Sequence, residues 1–187
     1  MSQPYVYRPQ LKAGHVSDPG LVRSRNEDAI LADPDRGLLL VVDGVGGQAG
    51  GDRAAALAVE TISRVLEEER GDPAEQVERA ILEANNAIYE ESRQDARFAG
   101  MACVLTLVLV EGRLAVVGHV GDTRLYRVRG QRMEKLTRDH SPVCEREDRN
   151  EISEAEAMGH PRLNEVFRDV GSQRPFAAAG LADVFLT

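Results

Sequence analysis

The run Leu38-Leu39-Leu40-Val41-Val42 is apolar at every position and stops abruptly at Asp43-Gly44-Val45-Gly46-Gly47. Such a run suits a strand covered on both faces, and a strand of that kind requires a sheet around it. A second apolar run, Leu114 to Val120, ends in the same way at Gly121-Asp122-Thr123-Arg124, and Asn26-Glu27-Asp28 stands just before Ala29 to Ala32. Three carboxylate positions are thus delivered by strand ends, with glycines beside two of them.

The other elements follow from periodicity and punctuation. Residues 1–10 read as a leader, and 11–187 as one domain. Leu11 to Ser17 predicts a short strand, and Asp18-Pro19-Gly20 a turn. Ala29–Ala32 and Leu38–Val42 flank Asp33-Pro34-Asp35-Arg36-Gly37, which predicts a hairpin. After Gly50-Gly51, a stripe of Ala55, Ala58, Val59, Ile62, Val65 and Leu66 at helical spacing predicts a helix over about 52–70. Gly71-Asp72-Pro73 ends it and starts another, over about 73–92, with Asp72 as N-cap and Pro73 in the first turn. Val77, Ile81, Ala84 and Ile88 line its buried face, extended by Ala80 and Tyr89. Two hairpins follow: Val104–Val110 with Leu114–Val120 around Glu111-Gly112, and Leu125–Arg129 with Met133–Leu136 around Gly130-Gln131. Beyond Asp139 the chain turns polar, and Ser153 with Glu156 has capping-box spacing for a short helix. Strands, two helices and then a strand meander suit an α+β sandwich with helices outside sheets.

Composition removes several classes of function. A net charge of −8 over 187 residues, without a Lys/Arg stripe, argues against a nucleic-acid surface. No stretch approaches eighteen apolar residues, so no membrane span is expected. The N-terminus lacks an apolar run behind a basic start, so it does not read as a secretory signal. Cys103 and Cys144 lack metal-ligand spacing and suit free thiols in a reducing compartment, although their pairing stays open. The expected location is cytoplasmic.

Glu27 or Asp28, with Asp43 and the Gly44 carbonyl, are oxygen donors of the kind Mg²⁺ and Mn²⁺ prefer. Arg23 could grip phosphate oxygens through its guanidinium fork. Each signal has a plainer explanation beside it. Asn-Glu-Asp is commonly solvated charge on a turn, Asp-Gly is commonly a turn, and Asp122 could simply accept backbone N–H groups. The glycine-rich stretch from Val45 to Gly51 has no Gly-Lys-Ser/Thr, so it makes a poor phosphate loop.

Taken in order, these strings resemble the bacterial 2C-type metal-dependent serine/threonine protein phosphatases. Gly20 to Asp28 is similar to the opening motif of that family, and Val42-Asp43-Gly44-Val45-Gly46-Gly47 with Ala49-Gly50 to its second. His119 to Tyr126 is similar to its glycine-aspartate-serine-arginine motif, and Leu136-Thr137-Arg138-Asp139-His140-Ser141 to the segment after it. Ile152–Ala157, His160-Pro161-Arg162, Asn164 and Phe167 to Gly171 resemble the flap and the next strand. The resemblance implies a four-layer α-β-β-α sandwich of two antiparallel sheets flanked by helix pairs. It further implies that Arg23 binds the substrate phosphate, Asp43 bridges two metal ions and Gly44 lends its carbonyl. Glu27 then acts through metal-bound water, Asp28 stands one step behind the ligands, and Asp122 helps hold an additional ion. The implied cofactors are Mn²⁺ or Mg²⁺, two or three ions in a complete site. The implied reaction is direct attack of metal-activated water on phosphoserine or phosphothreonine in partner proteins, with a cognate kinase opposing it.

Departures accompany the matches. Ala102-Cys103-Val104 replaces the usual Gly-Thr-Thr, a change that favours packing in a core strand, and Phe167-Arg168-Asp169-Val170-Gly171 is a variant of its motif. The later Ser-Asp-Gly and Asp-Asn motifs of the family, with two further ligand aspartates, are absent, and Asp183-Val184 is a poor substitute. The expectation is a C-terminally truncated, incomplete domain, weak or inactive alone, with uncovered edges that could self-associate. Three readings stand: a phosphatase, a non-catalytic phosphoprotein-binding or regulatory relative, and another phosphoesterase on the same scaffold.

Overall fold

The computed structural model describes residues 10–21, 23, 25–45, 50–68, 71–174 and 182–187. The expected leader, apart from Gln10, and residues 46–49 of the glycine-rich stretch lie outside them. The elements are β1 (Asp28–Asp33), β2 (Leu38–Val45), α1 (Gly51–Glu68), α2 (Pro73–Gln94), β3 (Ala102–Glu111), β4 (Leu114–Val120), β5 (Tyr126–Arg129), β6 (Arg132–Lys135), α3 (Pro142–Asp148), α4 (Glu154–Met158) and β7 (Asp183–Leu186). A five-stranded antiparallel sheet runs in the order β1-β2-β3-β4-β7, while β5 and β6 form a two-stranded sheet. The architecture is α+β, with antiparallel sheets and packed helices, as the sequence implied. The β5–β6 ribbon is a separate two-stranded sheet, and the short helices α3 and α4 contact each other.

The long helices form where the stripes place them. Asp72 caps α2 by accepting from the N–H groups of Ala74 and Glu75 at 2.9 and 3.2 Å, and Pro73 occupies the first turn, where its missing N–H costs nothing. Ala55, Ala58, Ile62 and Val65 of α1 and Val77, Ile81, Ala84 and Ile88 of α2 are buried against Leu38, Leu40, Val42, Leu105 and Leu107 of the sheet. Each such branched side chain removed from water contributes about 2 kcal/mol. The Ala102-Cys103-Val104 departure is packed as expected, with all three residues buried, and both cysteines are free thiols.

Several expectations need correction. Residues 11–17 form no strand, and all but Leu11 are exposed, because their side chains gain no sheet partner. Strand β2 runs through Asp43 to Val45, so Asp43 lies within the strand and is held by pairing with Val104 of β3. Nor is β2 covered on both faces: Val41 is 47% exposed, since α1 packs only on the side of Leu40 and Val42. The β3–β4 tip is Gly112-Arg113, because Glu111 already pairs with Leu114. Helix α3 was not anticipated, although its signal is present: Ser141 accepts from the Cys144 N–H at 3.1 Å and Pro142 follows it. The capping box at Ser153 and Glu156 forms as read and starts α4.

Candidate active site

The β1–β2 register sets Asp28 directly opposite Asp43. Facing carboxylates on one side of a sheet repel, so this pairing works against hairpin stability. Burial first, and then the charges of Asp28 and Asp122, push the Asp43 carboxyl above its ordinary range; Arg23 pulls it back, and Glu27 adds further repulsion. Arg23 sits at the edge of this cluster, 61% exposed, with its guanidinium 3.6 Å from the Glu27 carboxylate. Asp122, just past the end of β4, is also pushed up by burial first and by Asp139 second.

Gly44 explains how Glu27 is brought in. Its N–H donates to the Glu27 carbonyl at 3.1 Å, and a Cβ there would fall 2.1 Å from the Gly51 carbonyl oxygen. Only glycine lets β2 end this close to the start of α1. A Cβ added at Gly51 would in turn lie 2.9 Å from the Gly44 oxygen and 3.1 Å from the Glu27 carboxyl carbon. The Gly44 carbonyl and the Glu27 carboxylate therefore flank the same point at the first residue of α1.

Asp122 is carried by a loop that the segment 137–140 grips along its length. Leu125 N–H donates to Thr137 Oγ1 at 3.0 Å, and Arg124 makes a two-pronged ion pair with buried Asp139, its closest approach 2.6 Å. Gly121 N–H donates to His140 Nδ1 at 3.0 Å, and His140 N–H returns to the Gly121 carbonyl at 2.7 Å. Between them, the Thr123 hydroxyl lies 2.7 Å from Thr106 Oγ1, which is 3.0 Å from His119 Nδ1. His119 is buried and must donate through Nε2, because the partner there, 3.1 Å away, is the Arg138 carbonyl. Burial, reinforced by the nearby His140, lowers its basicity, in keeping with a neutral ring.

The sequence reading named Arg23, Glu27, Asp28, Asp43, Gly44 and Asp122, and the chain brings them to one end of the sheet. It did not name Asp139 or His140 as supports, nor Asp183 and Arg168, which pair at 3.1 Å beside His140. The string Leu136 to Ser141 was the available signal, but it shows no contact until the chain is folded. All the candidate ligands are oxygen donors, which fits Mg²⁺ or Mn²⁺ and excludes a thiolate or imidazole set. Among the described residues, no three His, Cys, Asp or Glu side chains converge tightly enough to hold an ion by themselves. Direct carboxylate contacts would have to be supplemented by the Gly44 carbonyl, water or further acids.

The Protein phosphatase 2C family model matches residues 22–169, and the chain belongs to that family. The serine/threonine phosphatase stp of Listeria innocua serovar 6a is 35% identical over 165 residues, covering 83% of this chain and 65% of the relative. The serine/threonine protein phosphatase PstP of Mycobacterium tuberculosis is 32% identical over 153 residues, covering 81% of this chain and 29% of the relative. This chain therefore spans less than two thirds of the length of either relative. The crystal structure of the serine/threonine phosphatase Stp1 from Staphylococcus aureus superposes with a TM-score of 0.86 at 25% identity, over 100% of this chain and 74% of that one. A solved PstP catalytic domain in complex with two manganese ions matches with a TM-score of 0.79 at 27% identity, over 92% of this chain and 70% of that one.

Proposed function

We propose that this chain supplies the Arg23, Glu27, Asp43 and Asp122 portion of the cleft of a metal-dependent protein serine/threonine phosphatase. The observation that supports this most is Asp43, half-buried and under the field of three other acids with Arg23 at the rim. A purely structural strand position has no use for such repulsion, whereas a cation-binding site does. Mn²⁺ or Mg²⁺, when bound, would polarise the phosphoryl group and make water nucleophilic at neutral pH. Asp43, the Gly44 carbonyl and Asp122 would offer oxygen donors to the ions, Glu27 would act through water, and Asp28 would stand behind them. Arg23 is exposed enough to leave Glu27 and clasp two phosphate oxygens in its planar fork. In the net reaction an oxygen of water would bond to phosphorus, the bond to the serine or threonine oxygen would break, and the proton given up by that water would end on the departing oxygen. The substrates are phosphoserine and phosphothreonine proteins, products of a cognate kinase, and the setting is cytoplasmic signalling.

A second reading, a phosphoprotein-binding or regulatory relative without turnover, is favoured by one observation: no three candidate side chains among the described residues close on an ion. Calorimetric titration with Mn²⁺, followed by phosphate release from a phosphothreonine peptide, separates the two. The phosphatase reading expects Mn²⁺ binding that is weakened at least about tenfold by Asp43→Asn. It also expects slow, Mn²⁺-dependent release by the 187-residue chain that Asp43→Asn abolishes. Equal Mn²⁺ binding by both proteins removes Asp43 from the site. Binding without release, both by this chain and by a version extended with the family's Ser-Asp-Gly and Asp-Asn motifs, supports the second reading.

A further inference from the structure

We infer that His140 is a positioning residue for Asp122, acting through the backbone of Gly121; this rests on the metal-site reading above. Gly121 has φ +102°, and a Cβ there would lie 2.2 Å from the Val104 side chain, so the loop passes Val104 in a conformation reserved for glycine. Glycine has many other conformations open to it, so this one, and with it the direction in which the next residue leaves, has to be held by partners outside the loop. His140 selects it. Its backbone N–H donates to the Gly121 carbonyl at 2.7 Å and its Nδ1 accepts from the Gly121 N–H at 3.0 Å, so one residue fixes a polar atom in each of the two peptide links that flank the Gly121 Cα.

The imidazole is itself oriented. An N–H donor at Nδ1 requires that nitrogen to be the acceptor, which leaves Nε2–H to donate to Asp183 Oδ2 at 3.0 Å. Arg168 donates to the other oxygen of the same carboxylate at 3.1 Å. The ring rests 5.1 Å from that of His119, and the His140 carbonyl accepts from Phe167 N–H at 2.9 Å. A chain of contacts thus runs from Arg168 through Asp183 and His140 to Gly121, and ends one residue from the Asp122 carboxylate. Asp183 is engaged in this support, which also explains why it is no spare metal ligand.

The test compares the full chain with His140→Ala, His140→Asn and His140→Gln. Asparagine carries an acceptor on Cγ, where histidine carries Nδ1, and can still receive the Gly121 N–H. Glutamine places its amide one atom further, where it can reach Asp183 but leaves Gly121 unpaired. Partners that orient a metal ligand are typically worth 10- to 100-fold in affinity, so His140→Ala and His140→Gln should bind Mn²⁺ at least about tenfold more weakly by calorimetry. His140→Asn should remain within about threefold of wild type, a rescue that a role in packing alone would not produce. Amide exchange should follow the same split, with Gly121 protected in wild type and His140→Asn and fast in the other two. Should His140→Ala fail to fold, the contrast between Asn and Gln decides alone. Equal Mn²⁺ affinity across the folded proteins, or equal losses in Asn and Gln, overturns the inference while leaving the metal site intact. Absence of Mn²⁺ binding by wild type removes the metal site, and this inference with it.

Discussion

On the side of the five-stranded sheet that carries α1 and α2, the contacts are apolar: Leu40, Val42, Leu105, Leu107 and Val116 meet Ile62, Ile81 and Ile88 without a charge among them. On the opposite side, around the end of β4, Thr106 and His119 meet Thr123 and Arg138 through hydrogen bonds, and Arg124 meets Asp139 through a buried ion pair. The two sides alternate along the same strands, since Thr106 lies between Leu105 and Leu107. The apolar side has no directional requirement and holds the layers together. The polar side adds less net stability, because each bond replaces one to water, but it fixes where particular atoms stand. Stability and placement have been divided between the two surfaces of one sheet.

Substitutions can break that division or sharpen it. Ile81→Ala should have the largest effect, because Ile81 is fully buried and packs against the bare Gly118 backbone, so little can collapse into the space. A loss of about 4 kcal/mol is expected, or roughly 10 °C in thermal melting, with the Mn²⁺ affinity of the folded protein unchanged. Arg124→Ala should come next. It strands Asp139, 4% exposed, without its partner, at a cost of about 2 to 3 kcal/mol, moderated because Arg124 keeps 19% of its side chain in solvent. Unlike the first variant, it should also weaken Mn²⁺ binding, since it releases one end of the Asp122 loop. If both variants affected only stability, the contrast between the two sides would fail.

The smallest effect has the opposite sign. Burial and facing acids raise the carboxyl of Asp43, so the native chain holds that proton more tightly than the unfolded chain. Stability is therefore lost as pH rises through the ordinary carboxylate range toward the native value. In chelator, Asp43→Asn should melt a few degrees higher than wild type at pH 7, a gain of about 1 kcal/mol in line with relief of functional-site strain. The difference should vanish at pH 3. Saturating Mn²⁺ should stabilise wild type but not the variant. A neutral-pH melting point for Asp43→Asn at or below that of metal-free wild type would show that the acid is structurally satisfied.

The apolar side was largely legible in the sequence, since helical stripes and strand alternation are local patterns that burial enforces. The two long helices and three hairpins fall within a few residues of their expected positions. Local pattern also misled at 11–17, where a strand-like string lacks a partner strand. It was silent on β7, whose four residues gain strand structure by pairing with β4. The acids were found because each borders an apolar run in the sequence, although Asp43 turned out to lie inside β2. Their supports were not, because the roles of His140, Asp139 and Asp183 depend on partners 19, 15 and 43 residues away. Helix α3 is a different case: Ser141-Pro142 is by itself a sufficient local start signal.

The bond between His140 and Asp183 also has a temporal meaning. A ribosome releases His140 when 43 further residues must still appear before its carboxylate partner exists. Throughout that interval β4 has one free edge and the Gly121 loop has an imidazole whose far nitrogen faces no anion. The helices, β1–β2 and β3–β4 can all be in place by then, since their partners are near in sequence. A settled geometry for Asp122 is thus deferred to the arrival of β7, and the emerging polypeptide assembles its scaffold well before that carboxylate is oriented.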